Sequence, residues 1–180
     1  VAPNLLNQNF TPQGPDQVWV QDITYLKTGE GWLYLAAIMD LYSRRIVGWQ
    51  VDKRMTSTLV CRALMKAYNL RNPSRSLVMH TDRGPQYTGN RFQSMLKSYG
   101  LRSSMGDVGA CRDNAVMERF RGSLKHEWLL LVPQPTRVHM KQDVATYIRH
   151  YNLERNHTAN GGISPVRYEQ QAEKKVSCLN

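Results

Sequence analysis

The chain has 180 residues, of which 41% are hydrophobic and 21% charged, so it has room for one well-buried domain with an appendage; two full domains and wholesale disorder are both excluded. Its 24 Lys and Arg against 14 Asp and Glu leave a net charge of +10, spread along the chain, which points to a folded surface that meets a polyanion: nucleic acid first, an anionic membrane second. Three dispersed cysteines without a C-x-x-C pair, and no apolar run near the ~18–20 residues of a spanning helix, exclude a disulfide scaffold, a zinc ribbon and a transmembrane protein.

In chain order, residues 1–17, with three prolines and several amides, read as an extended lead-in. Val18 to Leu26 is apolar on both alternating faces and predicts a central strand buried on both sides. Trp32 to Met39 and Arg45 to Val51 predict two more strands, and the short links make the three an antiparallel meander. Val60, Ala63, Leu64 and Ala67 share a helical face that ends at Asn72-Pro73. Ser76 to Thr81 predicts a strand stopping at Asp82-Arg83-Gly84-Pro85, Asn90 to Tyr99 a helix closed by Gly100, and Leu101 to Met105 a fifth strand. After a glycine-containing loop, Asp113 to Leu130 predicts a helix with Met117, Phe120, Leu124 and Trp128 as its core stripe. Thr136 to Leu153 predicts the last helix, and the tail from Glu154 reads as polar and irregular. The order suits an α/β fold, a five-stranded mixed sheet flanked by helices, with a core over 18–153 and a C-terminal tail over 154–180.

Three acidic residues stand out against this pattern. Asp22 interrupts an otherwise apolar strand, where an unpaired carboxylate is costly. Asp82 closes a strand at a Gly-Pro turn, and strand ends are where open α/β sheets place their sites. Glu118 lies one position round from the core stripe of its helix. Such oxygen donors suit Mg²⁺ or Mn²⁺, and two ions ~3.5–4 Å apart would clamp an in-line phosphoryl transfer. Taken singly, each has a bland reading: a bonded strand carboxylate, a turn aspartate and a solvated helix residue. Trp19, Trp32 and Trp49 read as core. Arg44 and Arg45 read as a solvated turn, with a DNA contact as the alternative. His80 reads as a hydrogen-bonded core histidine, with metal contact as the alternative.

The segments Trp19–Tyr25, His80–Tyr87 and Asp113–Phe120 resemble, in order, three signature regions of insertion-sequence transposases of the insertion-sequence-three group, whose catalytic region is close to that of retroviral integrases. The 35 residues between Asp82 and Glu118 match that family's spacing, as do Ser123-Leu124-Lys125 and the tail Gly161-Gly162-Ile163-Ser164-Pro165. The resemblance spans nearly the whole chain. It implies an RNase H-like catalytic core in which Asp22, Asp82 and Glu118 hold Mg²⁺ or Mn²⁺, two ions in all. It implies cleavage of a phosphodiester at an element end by water, then strand transfer by the freed 3′-hydroxyl. It also implies DNA and further copies of the chain as partners, helix-turn-helix segments ahead of Val1, and a bacterial cytoplasmic setting.

Lys125, two turns after Glu118 on the same face, is expected to contact phosphate. Asn114 is expected to reach the DNA or to cap its helix. Arg121 stands where the family often has an aromatic, and is expected either to contact phosphate or to alter packing. Tyr151-Asn152 with Arg155 and His157 reads as packing of the last helix. The competing functions are a catalytically silent DNA-binding or multimerisation remnant and a simple RNase H-like nuclease.

Overall fold

In a computed structural model, residues 2–6, 11–106 and 115–177 are described. The strands are β1 (Val18–Thr28), β2 (Gly31–Asp40), β3 (Ile46–Asp52), β4 (Val78–Thr81) and β5 (Arg102–Met105). The helices are α1 (Ser57–Arg71), the single turn α2 (Pro85–Thr88), α3 (Asn90–Tyr99), α4 (Ala115–Leu124), α5 (Arg137–Leu153) and α6 (Pro165–Ser177). The sheet runs β3-β2-β1-β4-β5. The first three strands form the expected antiparallel meander, and β4 and β5 add in parallel to β1.

Burial on both faces explains the apolar run of β1. Val20, Ala37 and Met39 face one cluster with Met117, Phe120 and Leu124 of α4 and Val144, Tyr147 and Tyr151 of α5. Trp19, Ile23 and Ile38 face the other, with Leu59, Val60, Ala63 and Leu64 of α1 and Phe92 and Leu96 of α3. Gly48 lets β3 and α1 touch: a Cβ there would lie 2.6 Å from the Ala63 carbonyl oxygen and 2.6 Å from the Ala67 Cβ.

Four expectations are corrected. The long helix from Asp113 does not run regularly to Leu130. Lys125–Leu129 is a π-helical turn, which buries Leu129 in the core while the expected Trp128 packs against it half-buried. Trp32 is half exposed and meets Tyr25 edge-on instead of entering the core, because it lies beside the turn that closes the β1–β2 hairpin. The tail is not irregular, since a short 3-10 turn (Thr158–Asn160) and α6 follow α5. The polarity that hid α6 includes Glu169, which is buried and bonded to Arg71, Arg45 and Ser43. Arg45 is therefore an ion-pair partner, not a solvated turn residue.

Candidate active site

The parallel pairing of β1 with β4 matches Val18 to Val78, Trp19 to Met79 and Val20 to His80. Continued by two residues, this register sets Asp22 beside Asp82, on strands that in any sheet lie roughly 4.8 Å apart. Alternation along β1 turns Asp22 to the same side as Val20, the side covered by α4 and α5. The two aspartates, 60 positions apart in sequence, are thus neighbours because of strand pairing alone.

Asp22 is buried, and its Oδ1 accepts a hydrogen bond from the Ile23 amide at 2.9 Å. Asp82 is exposed, just past the end of β4, and its Oδ1 accepts from the Gly84 amide at 2.7 Å. A Cβ at Gly84 would stand 2.9 Å from Asp82 Oδ1, so a larger residue there would displace this carboxylate. Arg83 Nε donates to the Gly106 carbonyl at 2.8 Å and ties the turn to the end of β5.

Glu118 enters from the first turn of α4, with its side chain about half exposed. One guanidinium connects it to Asp22: Arg121 Nη1 lies 3.3 Å from Asp22 Oδ2, and Nη2 lies 3.8 Å from Glu118 Oε1. Lys125 is half-buried at the start of the π-helical turn, seven residues beyond Glu118. Asn114 lies outside the described residues.

Two features of this neighbourhood were not singled out by sequence reasoning. The Tyr87 hydroxyl is buried and has no hydrogen-bond partner among the described residues. Burial drives this phenol well above its ordinary range, and the negative charges of Asp22 and then Asp82 push it the same way. Both carboxylates therefore lie within electrostatic reach of one buried hydroxyl. Its signal was its place at the end of the His80–Tyr87 segment. The second feature is Arg121 as a bridge between carboxylates: its i,i+3 spacing marks Glu118, but no local pattern indicates Asp22. His80 is a buried histidine whose Nδ1 is 2.9 Å from Ser104 Oγ, as its core reading expected.

The donor set is all carboxylate oxygen, the chemistry that Mg²⁺ and Mn²⁺ take. Among the described residues, no three metal-ligating side chains are already gathered at one point. Among the described residues, Arg121 is a cation beside Asp22 Oδ2. The residues suit a divalent ion by donor type, by the Asp22–Asp82 register and by the approach of Glu118 through Arg121.

A five-stranded mixed sheet in this order, covered by helices on both faces, defines an RNase H-like α/β protein. The integrase core domain pattern matches residues 12–111, and a second integrase core domain pattern matches 99–165. The chain belongs to the integrase core domain family. It is 45% identical over 172 residues to the transposase InsF for insertion sequence IS3A of Escherichia coli (strain K12), covering 95% of this chain and 60% of that protein. It is 43% identical over 172 residues to an uncharacterized 31 kDa protein of insertion element IS600 from Shigella sonnei, covering 95% and 63%. The chain thus spans about three fifths of the length of these curated relatives.

The fold is similar to that of a chain in the simian T-cell lymphotropic virus intasome (TM-score 0.77, 22% identity, 88% of this chain and 56% of that one). It is also similar to the catalytic core domain of HTLV-2 integrase solved in complex with magnesium (TM-score 0.71, 21% identity, 87% and 98%).

Proposed function

We propose that this chain is the catalytic core of a DNA transposase, a polynucleotidyl transferase in which Asp22, Asp82 and Glu118 hold Mg²⁺ or Mn²⁺. The observation that carries the reading is the β1–β4 register, which brings two acidic residues of a strongly basic chain together and sets α4 with Glu118 over them. The reactions are attack of water on a phosphodiester at an element end, then attack of the freed 3′-hydroxyl on a second phosphodiester. Divalent ions bound here would neutralise charge on the phosphate and activate the attacking oxygen.

The residues divide the remaining work. Asp22 is the rigid member, held by burial and by the Ile23 amide. Asp82 sits on a turn outside the sheet, so its carboxylate has room to reorient. Glu118 is carried on a helix at the protein surface, where substrate has access. Lys125, on the same flank of α4, is placed to take a backbone phosphate and fix the strand's register. Arg121 holds Asp22 and Glu118 near each other and leaves Asp22 when a stronger cation arrives. DNA ends and target, further copies of the chain, and N-terminal recognition segments complete the proposed machine.

The test uses labelled duplexes carrying candidate element ends, incubated with the chain joined to its N-terminal segments and with Mg²⁺ or Mn²⁺. Nicks ending in a 3′-hydroxyl and joined products are expected. Asp82→Asn and Glu118→Gln should each lower both by at least ~10²-fold while leaving the circular dichroism spectrum intact. Cleavage that persists without metal, or in Asp82→Asn, sinks the proposal. Salt-sensitive binding without any cleavage would favour the silent module, and hydrolysis without joining the simple nuclease.

A further inference from the structure

A cavity of about 350 Å³ opens on the flank of α4 away from the carboxylates. Residues 118, 121 and 125 lie on one side of the helix's core stripe, and 116, 119 and 123 on the other. The second flank forms the cavity wall with Val116, Arg119 and Ser123, and the turn after β2 and the segment after α5 close it with Arg44 and with Arg155 to Ala159. The Tyr151-Asn152 and Arg155-His157 motif therefore does more than pack. Asn152 exchanges two hydrogen bonds with the Ile46 backbone, and His157 packs edge-on against Tyr151, which fixes the segment that lines the cavity.

The charges around the cavity are unbalanced. Arg155 is satisfied by Glu127, at 2.6 and 2.7 Å, and Glu127 also accepts from the Tyr147 hydroxyl. His157 is held below its ordinary range, first by burial, and so is neutral at pH 7. Among the described residues, no carboxylate is bonded to Arg44 and its Nη1 finds no hydrogen-bond partner. That Nη1 is buried, burial holds the guanidinium below its ordinary range, and Arg119 repels it, while Tyr151 and Asp40 favour its charge only through space. Its backbone is left-handed, at φ 65°, a conformation uncommon for a side chain of this size. A buried guanidinium with an unmet donor is costly, and an anion in the cavity would meet it. Ser123, Asn156 and Thr158 add neutral hydrogen-bonding groups to the lining.

We infer that this cavity is a phosphate-binding subsite, gripped by Arg44 and Arg119, and that its occupant is a backbone phosphate of the DNA. The inference rests on the DNA reading above. Arg119 follows Glu118 directly and is exposed at the rim, so a strand whose scissile phosphate lies at Glu118 wraps α4 and seats a further phosphate on its other flank. The volume is at the low end of small-ligand sites, roughly 300–1,000 Å³, enough for a phosphate with its sugar.

The experiment measures binding of a fluorescein-labelled duplex by anisotropy, without divalent metal, across a NaCl series. Arg44→Gln and Arg119→Gln are each expected to weaken binding and to lower the slope of log affinity against log salt by about 1, at an unchanged melting temperature. Lys97→Gln, an exposed lysine on α3 across the sheet, is expected to keep the wild-type slope. Slopes equal to wild type in both arginine variants overturn the inference, and if the wild-type protein nicks DNA the proposed function survives that failure. A wild-type protein that binds no DNA overturns both. Inorganic pyrophosphate, followed by ³¹P NMR, separates the sources. Pyrophosphate binding lost in Arg44→Gln with DNA slopes unchanged would assign the cavity to free phosphate esters and overturn the DNA occupant.

Discussion

Arg121 shows how one side chain changes the chemistry open to its neighbours. Its guanidinium satisfies the charge of Asp22, a buried carboxylate that would otherwise be costly, and reaches Glu118 from the same helix. A divalent cation has to compete with it for Asp22 Oδ2. Arg121→Ala is therefore expected to tighten Mn²⁺ binding by roughly five-fold, equivalent to about 1 kcal/mol for a partly exposed pair. Electron paramagnetic resonance of free Mn²⁺ reads this without any turnover, and unchanged or weaker binding refutes the competition. The candidates Asp22, Asp82 and Glu118 could be picked out from sequence because an acid inside an apolar strand, or at its end, breaks a pattern. Arg121's pairing with Asp22 could not, since local sequence marks only its i,i+3 neighbour Glu118.

At the scale of elements, the contacts that hold the site's scaffold are few and specific. Glu169 of α6 accepts from Arg71 of α1 at 2.9 and 3.1 Å, from Arg45 at 2.7 Å and from Ser43 at 2.8 Å. Burial pushes its carboxyl up, but the bonds from Arg71, Arg45 and Ser43 outweigh this and leave it below the ordinary range. Glu169→Ala strands two arginines and should cost about 3–5 kcal/mol in urea unfolding. A loss under 1 kcal/mol would mean that α6 is not anchored this way. Gly48 sets the spacing between β3 and α1, and Gly48→Ala should cost about 1–3 kcal/mol, because backbone on both sides must shift. A neutral outcome by the same titration would show that α1 yields freely. The strands and α1, α3 and α5 were legible from periodicity. The π-helical turn was not, because one extra residue in a helix leaves the composition of the window unchanged. Nor was α6, whose apolar stripe is weakened by a buried glutamate.

For the molecule as a whole, a polar network joins the lead-in segment, the sheet and both terminal helices. Asp40 accepts from the Asp16 amide at 2.6 Å and the Tyr42 amide at 2.8 Å, and lies 3.9 Å from Arg71, which also bonds Asp16 and Glu169. Burial, opposed by these amide bonds, raises the Asp40 carboxyl from 3.8 to about 7. The folded state then keeps a proton that the unfolded chain has released, so this group's stabilisation is full below about pH 4 and is lost as pH rises towards 7. His157, held low by burial, acts in the opposite sense from its ordinary 6.5 downward, and Glu169 acts below 4.5. His157 and Glu169 contribute alike in wild type and in Asp40→Asn, so the difference between the two proteins over pH 4.5–6 isolates Asp40. Asp40→Asn should be less stable overall, because it loses an acceptor, yet its melting temperature should fall less than wild type's across that window. Parallel curves would remove Asp40 as the cause.

What the amino-acid sequence determined by itself was the order of strands and helices, the basic surface charge, and the three acidic residues with their 35-residue gap. These follow from local periodicity and from residues that break it, and a window of a few positions carries both. The tertiary structure alone decided that Asp22 lies beside Asp82, that Arg121 spans Asp22 and Glu118, that Glu169 is buried among arginines, and that Arg44 and Arg119 share a cavity. Each of these depends on strand register or helix rotation. A shift of one residue would reverse which face a side chain takes, and only the packing of the two cores settles that choice.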